Sequence, residues 1–313
     1  MVAFLLRRLA ATLPVLCVVA LIVFLMTRLS PGDPAAAIVG DNATTENLQR
    51  VRSNLGLTQS LPVQFVKWSW KLLHGDLGES FFTKRPVTEL IGQRVEPTLA
   101  LAGLTLVLTV LIAVPLGALA AWRHGGVLDR TLMSFSALGF SIPAFVTGYC
   151  LIWLFAMKLQ WLPVQGYVRI GEGLLPWLRN LALPATTLSI VYTALIARVT
   201  RAAVAEALTE DFIRTARAKG VGEWRVLMRH ALASAAVPII TVIGIGVALL
   251  IGGVVVTESV FAIPGLGSLT VDAVLSRDFP LIQGITLFFS VIYVLVNLVV
   301  DLCYLVADPR IRY

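Results

Sequence analysis

The sequence predicts an all-α integral membrane protein: a bundle of six membrane-crossing helices with both chain ends in the cytoplasm. Three observations lead there. Apolar residues make up 58 % of the 313 and charged residues only 14 %, whereas a soluble domain carries about 25 % charged residues. The mean hydropathy is +0.86. Six stretches are long and apolar enough to cross a bilayer core of about 30 Å, which needs about 20 helical residues. Lys and Arg are also sorted unequally between the two sets of loops.

The first span runs from about Leu9 to Leu29, behind Arg7 and Arg8. Its apolar run exceeds the roughly 7 to 15 residues of a cleaved signal, and the small residues Ala35-Ala36-Ala37 come late, so a retained anchor is expected. Together with its cytoplasmic stub this span accounts for residues 1–30. Residues 31–97 form a non-membrane loop region. Within it, Leu61 to Leu73 has the apolar spacing of a short amphipathic helix lying at a membrane interface, where tryptophan is favoured. The second span covers about Thr98–Ala121, the third Leu132–Met157, the fourth Leu181–Ala197, the fifth Ala235–Thr257 and the sixth Leu281–Ala307. These five helices form a core over 98–307, and 308–313 is a tail.

Orientation follows from the positive-inside rule. With the N-terminus inside, the inner segments hold thirteen Lys and Arg, seven of them between Arg198 and Arg229, and the short outer loops hold four: Lys158, Arg169, Arg179 and Arg277. The 31–97 region therefore lies on the outer side, and the chain is a multi-pass membrane protein in contact with lipid. The net charge of +7 is explained by this sorting, so no nucleic-acid partner is expected. Cys17, Cys150 and Cys303 each lie in an apolar run and read as core residues; no Cys/His spacing suggests a metal.

The inner segment between spans four and five has internal organisation. Ala202–Lys219 is rich in helix formers, Gly220 and Gly222 break the pattern, and Glu223–Leu232 starts a second short helix with Arg229 and His230 near its end. Trp224, Leu227 and Met228 share one face, and Phe212 and Ala216 form a similar pair. A helical hairpin over 202–233 with an apolar knuckle fits a groove on another protein. It also fits a membrane surface.

Arg214-Thr215-Ala216-Arg217-Ala218-Lys219-Gly220, followed by Arg225-Val226-Leu227 and Arg229-His230-Ala231-Leu232, resembles the cytoplasmic coupling motif of ABC importer permeases. Ala216 fits the last Ala of the Glu-Ala-Ala pattern and Gly220 its Gly. Arg214 and Thr215 replace Glu and Ala, and Ala233 stands where Pro falls, departures similar to the peptide branch. The opening Leu6-Arg7-Arg8-Leu9 with Pro31-Gly32-Asp33-Pro34 is similar to the B-type permeases of dipeptide and oligopeptide importers. So are His74-Gly75-Asp76-Leu77-Gly78, Glu258-Ser259-Val260-Phe261 through Gly267, Arg277-Asp278-Phe279-Pro280, and the closing Asp301–Tyr304 with Asp308-Pro309-Arg310.

The resemblance implies a type I ABC importer permease fold that moves di- or oligopeptides by alternating access, with no catalysis and no cofactor of its own. It implies a C-type sister permease, two ATP-binding subunits that hold ATP and Mg, and an extracytoplasmic peptide-binding protein. The chain itself contains no GxxxxGK loop ending in Ser or Thr to cradle ATP phosphates. The implied ATPase-coupling residues are Arg214, Ala216, Arg217, Lys219, Gly220, Val221, Trp224 and Leu227. Relatives of this class also carry nickel complexes, haem or glutathione, so such cargo is the alternative.

Ionisable groups and prolines in spans are candidates for the translocation path. Glu258 either faces that path and meets a peptide amino group or caps the Phe261–Gly267 turn. Pro143 either kinks the third span beside the pore or serves packing, and Pro115 and Pro184 are further expected breaks. Asp301 is expected to pair with an inner base such as Arg310. The glycines Gly244, Gly246, Gly252 and Gly253 read as close helix contacts. A proton-driven secondary transporter would be expected to carry inverted repeats and mid-membrane carboxylates. A membrane enzyme would need a nucleophile–base or metal constellation. The sequence offers neither set.

Overall fold

The computed structural model describes residues 2–29, 44–54 and 58–307. Among these residues the chain is helical apart from turns and one isolated bridge between Glu79 and Pro86. In chain order the helices are α1 (Val2–Leu29), α2 (Thr45–Asn54), α3 (Leu61–Leu73), α4 (Val87–Trp122), α5 (Val127–Ser141) and α6 (Ala144–Leu151, continued by π-helical Ile152–Lys158). There follow α7 (Leu174–Ala207), α8 (Asp211–Ala218) and α9 (Glu223–Arg225, continued by π-helical Val226–Ala231 and by Leu232–Ser234). The last three are α10 (Ala236–Val260), α11 (Leu266–Ser276) and α12 (Phe279–Ala307). By length and composition α4, α7, α10 and α12 can each cross a membrane, and Val127–Gly139 with Ala144–Lys158 forms a sharply bent apolar pair, which is a fifth crossing when counted as one span. The apolar part of α1 is Ala10–Met26.

The chain divides into two compact units. The first comprises Met1–Glu96 and Ser268–Val294. In it, Phe24 of α1 packs against Phe65 and Trp68 of α3, with ring centroids 5.3 and 5.6 Å apart. The loop before α4 is held by Asp278, which is buried and accepts hydrogen bonds from the Ser80 hydroxyl and the Phe81 N–H. A buried carboxylate needs such partners. At Gly284 α12 comes close to Val87 and Ile91 of α4.

The second unit comprises Pro97–Gly267 and Leu295–Tyr313. Its central helix is α7, whose apolar window is 67 % buried. Leu188 and Tyr192 pack with Leu250 and Val254 of α10; Ile196 and Ala197 pack with Ala113 and Ala120 of α4, Leu132 of α5 and Val242 of α10. A Cβ at Gly117 would lie 2.6 Å from the Ala197 carbonyl oxygen, so α4 and α7 touch through their backbones. Small residues permit this approach, which gives van der Waals contact where lipid provides no hydrophobic drive.

Several expectations are corrected here. α7 extends well beyond Leu181–Ala197, because Arg179, Arg198 and Arg201 lower hydropathy without lowering helix propensity. Pro115 and Pro184 lie inside unbroken helices. The third span is broken at Pro143, with 105° between its two parts. Ile142 is extended (φ −97°, ψ 120°), as the residue before proline prefers. Cys17, Cys150 and Cys303 are exposed, not core. In a membrane chain the outward face of a helix is as apolar as the inward one, so an apolar run does not report burial. Gly244, Gly246 and Gly253 sit against Val300, Ile196 and Tyr192, whereas Gly252 faces open space. Pro31 to Pro34 and Arg310, the expected partner of Asp301, lie outside the described residues.

Candidate functional site

The hairpin begins where α7 ends. Thr209 donates to the Glu206 carbonyl (2.7 Å), and the chain turns through Leu208–Glu210 before α8 starts with Asp211 in its first turn. The single helix expected over Ala202–Lys219 is thus two: the end of α7, then α8. The three-residue turn lets α8 leave the direction of the long helix.

α8 stops at a left-handed residue. Gly220 has φ +78°, its N–H donates to the Arg217 carbonyl (2.9 Å), and the Val221 N–H reaches back to the Ala216 carbonyl (3.2 Å). This pair of bonds is the Schellman ending, which favours glycine at the left-handed position and an apolar contact across it. Val221 supplies that contact beside Ala216. Gly222 is extended and starts α9, whose first residue, Glu223, accepts from Arg217 Nε (2.9 Å) and Nη2 (3.0 Å). The Arg217 bond holds the Glu223 carboxyl below its usual range and pushes the Arg217 guanidinium up.

Two faces result. Ile213, Ala216, Val226, Leu227 and Ala231 turn inward and pack with Ala118 and Ala121 of α4 and Val204 and Ala207 of α7. Ala216 and Leu227 are therefore buried in the chain's own core and act by holding the hairpin, while the other six expected residues carry its surface. Arg214, Arg217, Lys219, Gly220 and Trp224 are exposed and Val221 half-buried. Phe212 and Met228 are exposed as well, and Trp224, 57 % exposed, meets Trp122 edge-on at 6.3 Å. The grouping of Trp224, Leu227 and Met228 on one face is resolved into a buried Leu227 and two exposed neighbours.

Sequence reasoning missed an ion pair made by the residue just ahead of this hairpin. Arg201 of α7 forms a two-pronged bond to the buried Asp129 of α5 (2.8 Å to each oxygen), and Gly125 N–H adds a third at 2.9 Å. His124 Nδ1 lies 3.2 Å from Asp129 and 2.8 Å from Arg201 Nη2. Asp129 and Arg201 are 72 positions apart, so no local spacing announces them. Ile213 carried a visible signal, its three-residue spacing to Ala216.

Glu258 is fully buried. Thr98 donates to its carboxylate (2.6 Å) and in turn accepts from the Leu266 N–H (2.7 Å). A Cβ on Gly265 would collide with the same carboxylate. The carboxylate thus sits inside the Phe261–Gly267 turn, in the capping position, and has no exposed surface from which to meet cargo in this structure. Pro143 is exposed at the break between α5 and α6. Among the described residues no group of three or more His, Cys, Asp or Glu is placed to hold a metal.

The sequence profile described as "Binding-protein-dependent transport system inner membrane component" matches residues 113–313, and the profile of the corresponding N-terminal region matches residues 1–102. The chain is 52 % identical over 310 residues, 99 % of each chain, to a probable peptide ABC transporter permease of Sinorhizobium fredii. It is 44 % identical over the whole of both chains to a putative peptide transport system permease of Brucella abortus. It is 41 % identical over 314 aligned positions, again the whole of both chains, to a glutathione transport system permease of Salmonella typhi. Among solved structures, a chain of the methionine ABC transporter MetNI in an inward-facing conformation superposes with a TM-score of 0.59 at 18 % identity. That alignment covers 70 % of this chain and 96 % of the other.

Proposed function

The chain belongs to the binding-protein-dependent transport system inner membrane components, and from that premise we propose that it is the pore-forming permease subunit of an ATP-driven importer of di- or oligopeptides. It resides in the bacterial inner membrane as a multi-pass protein. The proposed orientation puts α8 and α9 in the cytoplasm and the α1–α4 loop outside. The proposed assembly adds a C-type sister permease, two ATP-binding subunits and an extracytoplasmic peptide-binding protein. ATP and Mg belong to the ATP-binding subunits, and this chain contributes no catalytic group.

The observation that carries the coupling reading is the two-faced hairpin. Its inner face is locked into the ends of α4 and α7, so a push on its outer face is transmitted to two membrane helices as a unit. Its outer face offers Phe212, Trp224 and Met228 as apolar anchors among Arg214, Arg217 and Lys219, a pattern suited to a groove with an apolar floor and acidic rim. Closure of the ATP-binding subunits would move this hairpin, and α4 and α7 with it, switching access from one side to the other.

The relative that transports glutathione supports a second cargo of the same chemistry, a modified tripeptide. The test is reconstitution of the complete complex in proteoliposomes with its binding protein. ATP-dependent uptake of labelled peptides supports the peptide reading, and uptake of glutathione in preference to unmodified tripeptides supports the second. A chain that purifies alone and transports without ATP overturns both.

A further inference from the structure

We propose that α3 is a membrane-surface anchor, lying in the headgroup layer of the bilayer with Val63, Val66, Trp70 and Leu73 turned into the acyl boundary. At 100° per residue these four positions fall within about 80° of the helix circumference. They form a continuous apolar stripe, and all four are exposed, Val66 at 66 %, Trp70 at 65 % and Leu73 at 80 %. The opposite side of the helix is already occupied: Phe65 and Trp68 pack on Phe24, and Gln64 is buried, donating to the Gln59 carbonyl (2.7 Å). The stripe is therefore not the face that holds α3 to the protein.

Three features select lipid as its occupant. The first is height. Phe24 lies near the end of the apolar part of α1, four residues before Arg28, a rise of about 6 Å. A helix clasped at Phe24 is thus placed where an apolar span meets the polar headgroups. The second is charge. Lys67 and Lys71 border the stripe on one edge, and the Arg28 guanidinium lies 5.5 Å over the Phe24 ring. Lys71 is 3.7 Å from Asp76. Cations beside a tryptophan-bearing apolar strip match the phosphate layer of a membrane. The third is setting, because Val15, Val18, Ile22 and Met26 give α1, the helix that holds α3, an exposed apolar face of its own suited to lipid. An interfacial helix with this pattern sinks its apolar side about 5–10 Å into the headgroup–acyl boundary.

The test uses the full chain in proteoliposomes of phosphatidylethanolamine and phosphatidylglycerol, with Cys17, Cys150 and Cys303 changed to Ser and spin labels placed by Val66→Cys, Trp70→Cys, Lys67→Cys or Lys71→Cys. Labels at 66 and 70 should collide several-fold more with oxygen than with a water-soluble nickel chelate, and labels at 67 and 71 should show the reverse. A stripe favouring the chelate is in water, and a stripe reached by neither reagent is covered by protein; either result overturns the anchor. Brominated lipids provide a check free of labels. They should quench the tryptophan emission of the unaltered chain more than that of Trp70→Phe, and equal quenching also overturns the proposal.

Discussion

Thr98 and Glu258, 160 positions apart in the chain, are joined by a 2.6 Å hydrogen bond in which the hydroxyl donates to the carboxylate. The same hydroxyl accepts from the Leu266 N–H, so one side chain connects the start of the membrane part of α4 to the turn after α10. Removing the acceptor leaves a buried donor without its bond, at a cost of about 1–3 kcal/mol.

Glu258→Ala should therefore lower the thermal midpoint in detergent, and Glu258→Gln, which keeps an acceptor oxygen, should lower it less. Gly265→Ala should resemble the alanine variant, because its methyl group displaces the carboxylate. Equal midpoints for all three and the unaltered chain would show that this contact does not hold the turn.

Gly220 adopts φ +78° with open space around its Cβ position, so substitution there strains the backbone without crowding. A branched side chain in this region costs about 1–2 kcal/mol. Gly220→Val is expected to abolish stimulation of ATP hydrolysis by cargo-loaded binding protein, and Gly220→Asn, which tolerates the left-handed region, to retain most of it. Two equally active variants would separate the turn from coupling.

Trp224→Asp removes an edge-on aromatic pair worth about 0.5–1.5 kcal/mol, too little to unfold a chain whose hairpin core lies elsewhere. The variant should assemble in the membrane at normal levels yet fail in uptake. Normal uptake would remove Trp224 from the coupling surface.

The Arg217–Glu223 pair predicts a pH dependence of defined sign. The carboxyl of Glu223 is held low by its bond to Arg217. The pair's contribution is thus fully present above the ordinary carboxylate range and is lost as pH falls through the lowered value. A spin label at Lys219→Cys should become more mobile in that acid range, and Glu223→Gln should show the higher mobility at every pH. A label whose mobility is already high at neutral pH in the unaltered hairpin would contradict the clamp.

Arg201 grips Asp129 with two parallel bonds, a geometry that lysine cannot reproduce. Breaking a buried ion pair costs about 3–5 kcal/mol, and the partial exposure of Arg201 places this pair toward the low end. Arg201→Lys should lose part of that, and Asp129→Ala more, read as thermal midpoints. An unchanged midpoint in Asp129→Ala would show that the loop before α5 is held otherwise.

What hydropathy and spacing could report was local. A helix appears over the same Leu61–Leu73 that its apolar spacing implies, and the turn at Gly220 lies where the glycine stands. The extent of α7 was hidden because the charges flanking its apolar centre look like loop residues to hydropathy, though they are good helix formers. The partners of Glu258, Asp129 and Asp278 were hidden for another reason: Thr98, Arg201 and Ser80 are remote in sequence, and only the packing brings them together. Phe212 and Ala216 lie about 40° apart on α8, and the edge of its buried face falls between them, which spacing alone does not reveal.

The distances along the chain also fix an order of events during synthesis. Thr98 and Ser80 leave the ribosome well before Glu258 and Asp278 exist, so each waits through most of translation for its acceptor. A nascent chain halted before position 258 holds most of its apolar segments but neither closing carboxylate. Quality-control proteases that sense loose extramembrane loops would then meet the region around Ser80 unfastened. The joins Ser80–Asp278 and Thr98–Glu258 can thus close only after most of the apolar segments have been made, so the loop before α4 and the turn after α10 are fastened late.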